Sequence, residues 1–539
     1  MSDERVVPAP TDPMAVARAF VAANYVGIGG TLLLRHHRNG FYSYADDHWP
    51  EDDQRRVSSE LWQWLEGAQY EKVVKEEIVL VPFEPTKYKI ANVLEALKAI
   101  GHIAEGVQPP VWLQGAETTP INAGEVVALE NGIFTLSTRQ LRAHTPELFE
   151  QHVLPFAYDP LATTPTRWLR FLDELWGEDE ESKTTLAEWL GYVLSSDTSL
   201  QKMYLLVGPK RSGKGTIARV LTGLLGVHNT AAPTLAALTQ NFGLQPLVGK
   251  PLAVISDARL GVRADNMVAV ERLLSISGED VLTIDRKYRD PWTGRLPTRF
   301  MILTNELPRF SDSSGALASR FVMSILRTSF YGRENPKLTA ELLKEAPGIF
   351  NWALEGLDRL RGRGYFLLPA SAREAQRHLE DLASPVSAFV RDRCRTGPDL
   401  VVGKDELWTA WKDWCADEGM HPSTKALFVR NLRSALPSAR QIRPRDGEKR
   451  RHEITGIALG PGLTMDETPD HPDHDHAEGR GHESEGDEIW LNHAVGQGGQ
   501  GSDPLLLQIG AKCVRCDTEY TPDDEHPLRC PSCTEGVAA

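Results

Sequence analysis

Hydrophobic residues recur along this chain in two rhythms. Between residues 1 and 200 the rhythm changes several times. "TLLLRHHRNGFYSYA" sets two strand-like runs on either side of Asn39-Gly40, which predicts a hairpin, and "VVALENGIFTLST" repeats the arrangement around Asn131-Gly132. "TRWLRFLDELWG" and "SKTTLAEWLGYVLSSD" then place apolar residues three and four apart, so both predict amphipathic helices. Between 201 and 335 the pattern becomes short, continuous apolar runs at Met203–Val207, Pro251–Ser256, Phe300–Thr304 and Phe321–Leu326. Strands this apolar belong to a parallel sheet covered on both faces. A helical stretch over roughly 336–382 follows.

Residues 385–460 read as a small unit of their own. "SPVSAFVRDRC" opens a helix with Pro385 near its first position, and "KDELWTAWKDWC" puts Leu407, Trp411, Trp414 and Cys415 on one face. "STKALFVRNLRSAL" is a third helix with Ser423 as the expected N-cap, and a hairpin turning at Asp446-Gly447 closes the unit. Three helices and a basic hairpin predict a winged helix. Lys425, Arg430 and Arg433 on the third helix, with Arg443, Arg445, Lys449, Arg450 and Arg451 on the hairpin, are candidate phosphate contacts to DNA. A protein-docking wing is the other reading of the same cations.

The chain has 539 residues, more than one core accommodates. The expected fold is multidomain α/β. A mixed α+β N-terminal domain covers 1–200 and an α/β core with a parallel sheet covers 201–335. A helical extension follows over 336–384 and the winged helix over 385–460. An acidic, His-rich disordered linker over 461–504 leads to a zinc ribbon over 505–539. The formal net charge of −15 argues at first against nucleic acid, but it is concentrated. Residues 461–504 carry eleven acids against one base, and 505–539 six acids against three bases, which leaves 1–460 nearly neutral. Local basic clusters in that body can therefore act. No apolar run of about 18 residues occurs and "MSDERVVPAPTDP" has no apolar h-region, so the expected location is the cytoplasm, with no membrane partner.

"YLLVGPKRSGKGTIARVL" carries the chemistry. A strand, a polar glycine loop and a helix follow one another, and Gly208-Pro209-Lys210-Arg211-Ser212-Gly213-Lys214 matches GxxxxGK. Such a loop curls its backbone N–H groups toward phosphate oxygens. The helix N-terminus adds its dipole, and Lys214 reaches the β- and γ-phosphates of ATP. The residue after the lysine is usually Ser or Thr, whose hydroxyl meets Mg²⁺. Here it is Gly215, and Thr216 is the nearest remaining hydroxyl. Gly-Lys-Gly-Thr also occurs in adenylate-kinase-like enzymes, which keeps a nucleotide kinase as an alternative.

Two strand ends argue for hydrolysis instead. Asp257 ends "PLAVIS", where a carboxylate beside a P-loop holds Mg²⁺ directly or through water. Asn305 ends "RFMILT", where an amide can position the attacking water. Either residue alone reads as an ordinary turn residue; the ordered set carries the argument. Between them, Arg286, Lys287 and Arg289 bracket Tyr288, cations for phosphates and a ring for stacking on single-stranded DNA. Taken alone, with Asp285 and Asp290 beside it, this reads as a solvated charged loop. Arg320, just before the last strand, can act on a neighbouring subunit's γ-phosphate or make a surface salt bridge.

Cys513-Val-Arg-Cys516, thirteen residues and Cys530-Pro-Ser-Cys533 form a four-thiolate pattern for structural Zn²⁺, favoured over paired disulfides in a reducing compartment. Cys394 and Cys415 are expected core thiols. The five histidines of 461–504 read as solvated filler.

"GPKRSGKGT", "LVGKPLAVISDAR", "SISGEDVLTIDRKYRDPWTGRLPTRFMILTNELP" and "DSSGALASRF" together resemble the superfamily 3 helicases of the phage and plasmid primase-helicase family, which includes satellite-phage and poxvirus members. "NGIFTLSTRQLRAHTPELF" is similar to that family's domain preceding the ATPase. The resemblance implies an AAA+-like core assembled as a ring, usually a hexamer, with ATP between subunits and single-stranded DNA in the pore. It implies nucleotide and Mg²⁺ binding for Lys214 and Thr216, a Walker B acid at Asp257, sensor 1 at Asn305, an arginine finger at Arg320 and a pore hairpin around Lys287. Gly215, and Ala258 after the single acid, depart from the pattern. Primase chemistry is not expected: the carboxylates of "SYADDHWPEDD" lie in a short hairpin setting. A separate primase or replication partner fits the family. The expected function is ATP-driven unwinding of DNA for replication of a phage, plasmid or integrated element. The alternative is a DNA-binding P-loop ATPase without unwinding, such as a loader or defence factor.

Overall fold

A computed structural model describes residues 5–460 apart from 54, 114–120, 257–264, 309, 311–314, 447–448 and 451; beyond 460 it describes 511–512 and 519–520. The chain divides into two units, Met1–Thr468 and Pro469–Ala539. Among the described residues, the second unit contributes two short antiparallel strands, Ala511–Lys512 and Glu519–Tyr520. Cys513, Cys516, Cys530, Cys533 and the 461–504 segment lie outside the described residues. No described helix is long and apolar enough to cross a membrane.

The first unit is mixed α/β around a five-stranded sheet: β1 Met203–Val207, β2 Thr230–Ala231, β3 Leu252–Ser256, β4 Arg299–Thr304 and β5 Phe321–Ile325. Its order is β2-β3-β4-β1-β5, and every pairing is parallel. Because side chains alternate along a strand, each continuous apolar run serves two cores. Tyr204, Leu206, Val254, Met301 and Val322 enter one; Met203, Leu205, Ile255, Ile302 and Met323 enter the other. The four apolar runs read from the sequence are four of these strands. The fifth, β2, has two residues.

Four helices surround the loop that follows β1 or share a core with the sheet: α1 Thr166–Trp176, α2 Glu180–Leu194, α3 Lys214–Leu225 and α4 Ala346–Arg363. The two helices expected from "TRWLRFLDELWG" and "SKTTLAEWLGYVLSSD" are α1 and α2. Trp168, Trp189, Leu221, Met301 and Phe350 all sit in one core, so residues before 200 and after 335 share a hydrophobic interior with the sheet. Helices α2 and α4 touch through glycine. A Cβ on Gly191 would meet the Ala353 carbonyl, and one on Gly356 the backbone of Ala187.

A separate core near the N-terminus gathers Phe20, Leu61, Trp64, Phe83 and Leu97. The first expected hairpin forms, Leu34–His37 with Gly40–Ser43, but its turn is displaced by one residue. Arg38 (φ 47°) and Asn39 (φ 65°) make the corner and Gly40 is already paired with His37. The second is displaced likewise: Leu129 pairs with Gly132, so Glu130 and Asn131 turn.

Residues 385–460 contain helices Pro385–Arg393, Lys404–Asp417 and Lys425–Ala435, and a three-stranded antiparallel sheet of Cys394–Gly403, Glu453–Leu459 and Arg440–Ile442. Leu407, Trp411, Trp414, Cys415 and Cys394 are buried in its core. Thr424, not Ser423, caps the third helix by accepting from the Leu427 amide. The closing hairpin pairs Arg445–Asp446 with Lys449–Arg450 across residues outside those described.

Candidate functional site

Strand β1 ends at Val207, and the next loop curls over the start of α3. Gly208 and Gly213 make this geometry. A Cβ on Gly208 would stand 2.7 Å from Leu326 Cβ. Gly213 has φ 91°, where a side chain is strained, and its Cβ would meet Leu175 at 2.7 Å. Arg211 is also left-handed, at φ 60°. The loop is tied from outside: Phe330 N donates to Arg211 O at 2.8 Å, and Ser329 Oγ to Lys210 O at 2.9 Å.

Lys214, the first residue of α3, is 9 % exposed, and its ammonium lies inside the loop. Nζ donates to Gly208 O (2.5 Å), Pro209 O (2.7 Å), Ser212 Oγ (3.2 Å) and Asn305 Oδ1 (3.2 Å). The last contact brings the end of β4 to the loop, so one of the two strand-end residues singled out in the sequence, Asn305, meets the loop lysine. Thr216 is buried, and its Oγ1 accepts from Arg219 at 3.1 Å. Asp257 follows β3, the neighbour of β4, and lies outside the described residues.

These groups open on a cavity of about 650 Å³ that Lys210 to Thr216 and Asn305 line. It also contains residues that no sequence motif marks: Arg167, Phe171, Arg219, Phe330 and Arg333. They come from α1, the body of α3 and the segment after β5, and no short pattern links them. The arginines other than Arg219 have acidic or aromatic company. Arg167 faces Glu174 at 3.6 Å and Glu341 at 3.7 Å, Arg211 faces Glu334 at 3.5 Å, and Arg333 lies over Phe330.

Arg320 is not at this cavity. It precedes β5, and the Met203 amide donates to its carbonyl, so it stands at the sheet edge where β1 begins. Its NH1 donates to Ser277 Oγ at 3.2 Å. The Arg286–Arg289 segment is no irregular loop. Leu282–Arg286 and Arg289–Gly294 form an antiparallel hairpin with Lys287-Tyr288 at its tip. Tyr288 is 88 % exposed, with Lys287 Nζ 5.2 Å from its ring centroid. The flanking arginines face inward instead. Arg289 pairs with Glu51, and Arg286 donates to Asp290 O at 2.9 Å and Arg38 O at 3.4 Å. Asn39 donates to Asp290 Oδ2 at 2.8 Å, so the N-terminal hairpin grips this one.

On the third helix of 385–460, Arg430 and Arg433 are exposed and border a shallow recess of about 480 Å³ with Lys404 and Gln441. Lys425 instead pairs with Asp405. Arg443 is exposed; the side chains of Arg445, Lys449 and Arg450, and Arg451 altogether, lie outside those described.

Burial raises the pKa of Glu188 on α2, although its partner Arg363, 2.6 Å away, pulls it back. Burial pushes the Cys394 thiol up to about 12, consistent with a packed, unreactive sulfur.

Residues 17–177 match a family model described as D5 N terminal like, and residues 206–320 match one described as a family of unknown function, DUF5906. Solved structures of the NrS-1 C-terminal region are similar at 13 % identity. One apo structure covers 83 % of this chain and 99 % of its own, with a TM-score of 0.47. An A-form apo structure covers 83 % and 100 %, with a TM-score of 0.45. The D5-like match over the N-terminal part supports a phage primase-helicase family.

Proposed function

We propose that this chain is an ATP-dependent DNA helicase of the superfamily 3 type, working as a ring, with the cavity at Lys214 as its nucleotide site. The observation that carries the reading is the meeting of the 208–214 loop, Lys214 and Asn305 at the carboxyl ends of adjacent parallel strands, where open α/β sheets bind ligands. The loop strand β1 lies between β4 and β5, with β3 beyond β4, so the strand ends that precede Asp257 and Asn305 lie on the same side of the loop strand, which suits an AAA+-like core. Lys214 exchanges loop carbonyls for phosphate oxygens when a triphosphate enters. Thr216 offers a hydroxyl to Mg²⁺, Asp257 a carboxylate, and Asn305 orients the attacking water. Mg²⁺ would draw charge from the transferring phosphoryl group. Arg320 would serve the neighbouring subunit. Lys287 and Tyr288 would touch single-stranded DNA, and 385–460 would act as a winged helix on duplex. The four tail cysteines would hold a structural Zn²⁺.

The test is ATP hydrolysis by the full chain with and without single-stranded DNA, followed by displacement of a labelled strand from a forked duplex. Stimulated hydrolysis with displacement is expected. Stimulation without displacement would leave the loader reading, and phosphoryl transfer to a nucleoside monophosphate would leave a kinase.

A further inference from the structure

Gly215 stands where a phosphate loop ordinarily carries a hydroxyl. Arg219, one helical turn later, fills the space that this absence opens. An ideal Cβ on Gly215 would lie 3.1 Å from Arg219 NH1. NH2 of the same guanidinium donates to Thr216 Oγ1 at 3.1 Å, and Nε donates to Thr339 Oγ1 at 3.1 Å. Both hydrogen-bond partners are neutral hydroxyls. The acids around the cavity are matched elsewhere: Glu174 and Glu341 with Arg167, and Glu334 with Arg211. Among the described residues no carboxylate pairs with Arg219, an exposed residue at the wall of the cavity that it lines.

We propose that Arg219 is a second phosphate-binding cation of this site, and that Gly215 is present because the guanidinium occupies the place of the missing side chain. The inference rests on the nucleotide reading above and adds to it a residue that binds a polyphosphate and positions Thr216. The chemistry comes from the donor set. A guanidinium is permanently charged and presents several N–H groups in one plane, which suits phosphate oxygens. The Thr216 oxygen accepts from Arg219 with one lone pair and keeps the other for a metal ion or its water. A fixed cation beside that hydroxyl repels a divalent ion and attracts the bare anion. The site should therefore hold ATP in the absence of metal better than a loop that depends on a metal-bound hydroxyl.

The experiment is titration of the full chain with ATP in EDTA and in Mg²⁺, for wild type, Arg219→Gln, Gly215→Ser, the double variant and Lys214→Ala. Thermal melts without nucleotide check that each is folded. Arg219→Gln removes the charge and keeps an amide donor at the level of Nε, within reach of Thr339. It should lose about tenfold or more in metal-free affinity, the scale of one charged hydrogen bond. Gly215→Ser should lose a similar factor by displacing the guanidinium. In the double variant the serine has room, so Mg²⁺-dependent affinity should exceed that of Gly215→Ser alone. Metal-free affinity of Arg219→Gln equal to wild type would overturn the proposal, as would a double variant no better than the sum of the single losses. If wild type and Lys214→Ala bind ATP equally, the nucleotide reading itself fails and the proposal with it.

Discussion

At the scale of single residues, Lys214 is the most constrained group in the cavity. It is buried, it touches both backbone and side-chain acceptors, and it reaches the Asn at the next strand's end. Its role depends on charge at one point, so Lys214→Ala should abolish ATP hydrolysis. The fold should survive, because the carbonyls it leaves line an open cavity and can take water. Hydrolysis at the wild-type rate in a steady-state assay would remove this lysine from the mechanism. Its place was legible because GxxxxGK needs only neighbours in sequence. Arg219 was not legible, since its meaning depends on helical spacing from a glycine and on the acids around the cavity being matched to other arginines. Thr424 was missed as a cap by one position because Ser and Thr stand side by side and either hydroxyl can serve.

Among elements, the hairpin Leu282–Gly294 stands where the resemblance implied one, although the residues taken alone read otherwise. Asp285 and Asp290 made its charges look like a solvated loop. Pairing divides them instead: Arg286 and Arg289 turn back to the protein and Lys287 and Tyr288 form the tip. A DNA strand would meet the tip first. Lys287→Ala should therefore lose stimulation of hydrolysis by single-stranded DNA. Tyr288→Ala should weaken binding, by roughly 1–3 kcal/mol if one base stacks on it, with little change in salt dependence. Fluorescence anisotropy at two salt concentrations separates the two; normal stimulation in Lys287→Ala would count against the tip. The sheet strands were legible because burial on both faces demands continuous apolar runs. β2 left no such trace, and Cys394–Gly403 was hidden by Gly397 and Pro398, with a register shift between Thr396 and Val401.

For the whole molecule, the positions of Arg320 and Lys214 decide what one chain can do. Parallel strands β1 and β5 put Arg320 at their starting edge and the phosphate loop at their far edge, about 16 Å apart at the rise of an extended strand. If Arg320 is the arginine finger proposed above, its place there suits another chain's nucleotide rather than its own. Arg320→Ala should therefore bind ATP but hydrolyse it roughly 10³-fold more slowly. Mixtures of Arg320→Ala with Lys214→Ala should recover part of the activity, because some interfaces then combine an intact finger with an intact loop. No recovery at any ratio would argue against action between subunits.

The glycine contacts between α2 and α4 bear on how this protein can be divided and recombined. With Gly191 against Ala353 and Gly356 against Ala187, the helix before the sheet and the helix after it fit as one joint, and Trp189 shares its interior with Leu221 and Met301. The sheet segment 201–335 is therefore not an exchangeable cassette. Excised alone, it would expose the apolar face that these helices cover, and it should aggregate or melt without a cooperative transition. A piece spanning 123–384 carries both halves of the joint and should unfold in one step in a thermal scan. Lineages that exchange this core between such proteins would be expected to join it outside these limits.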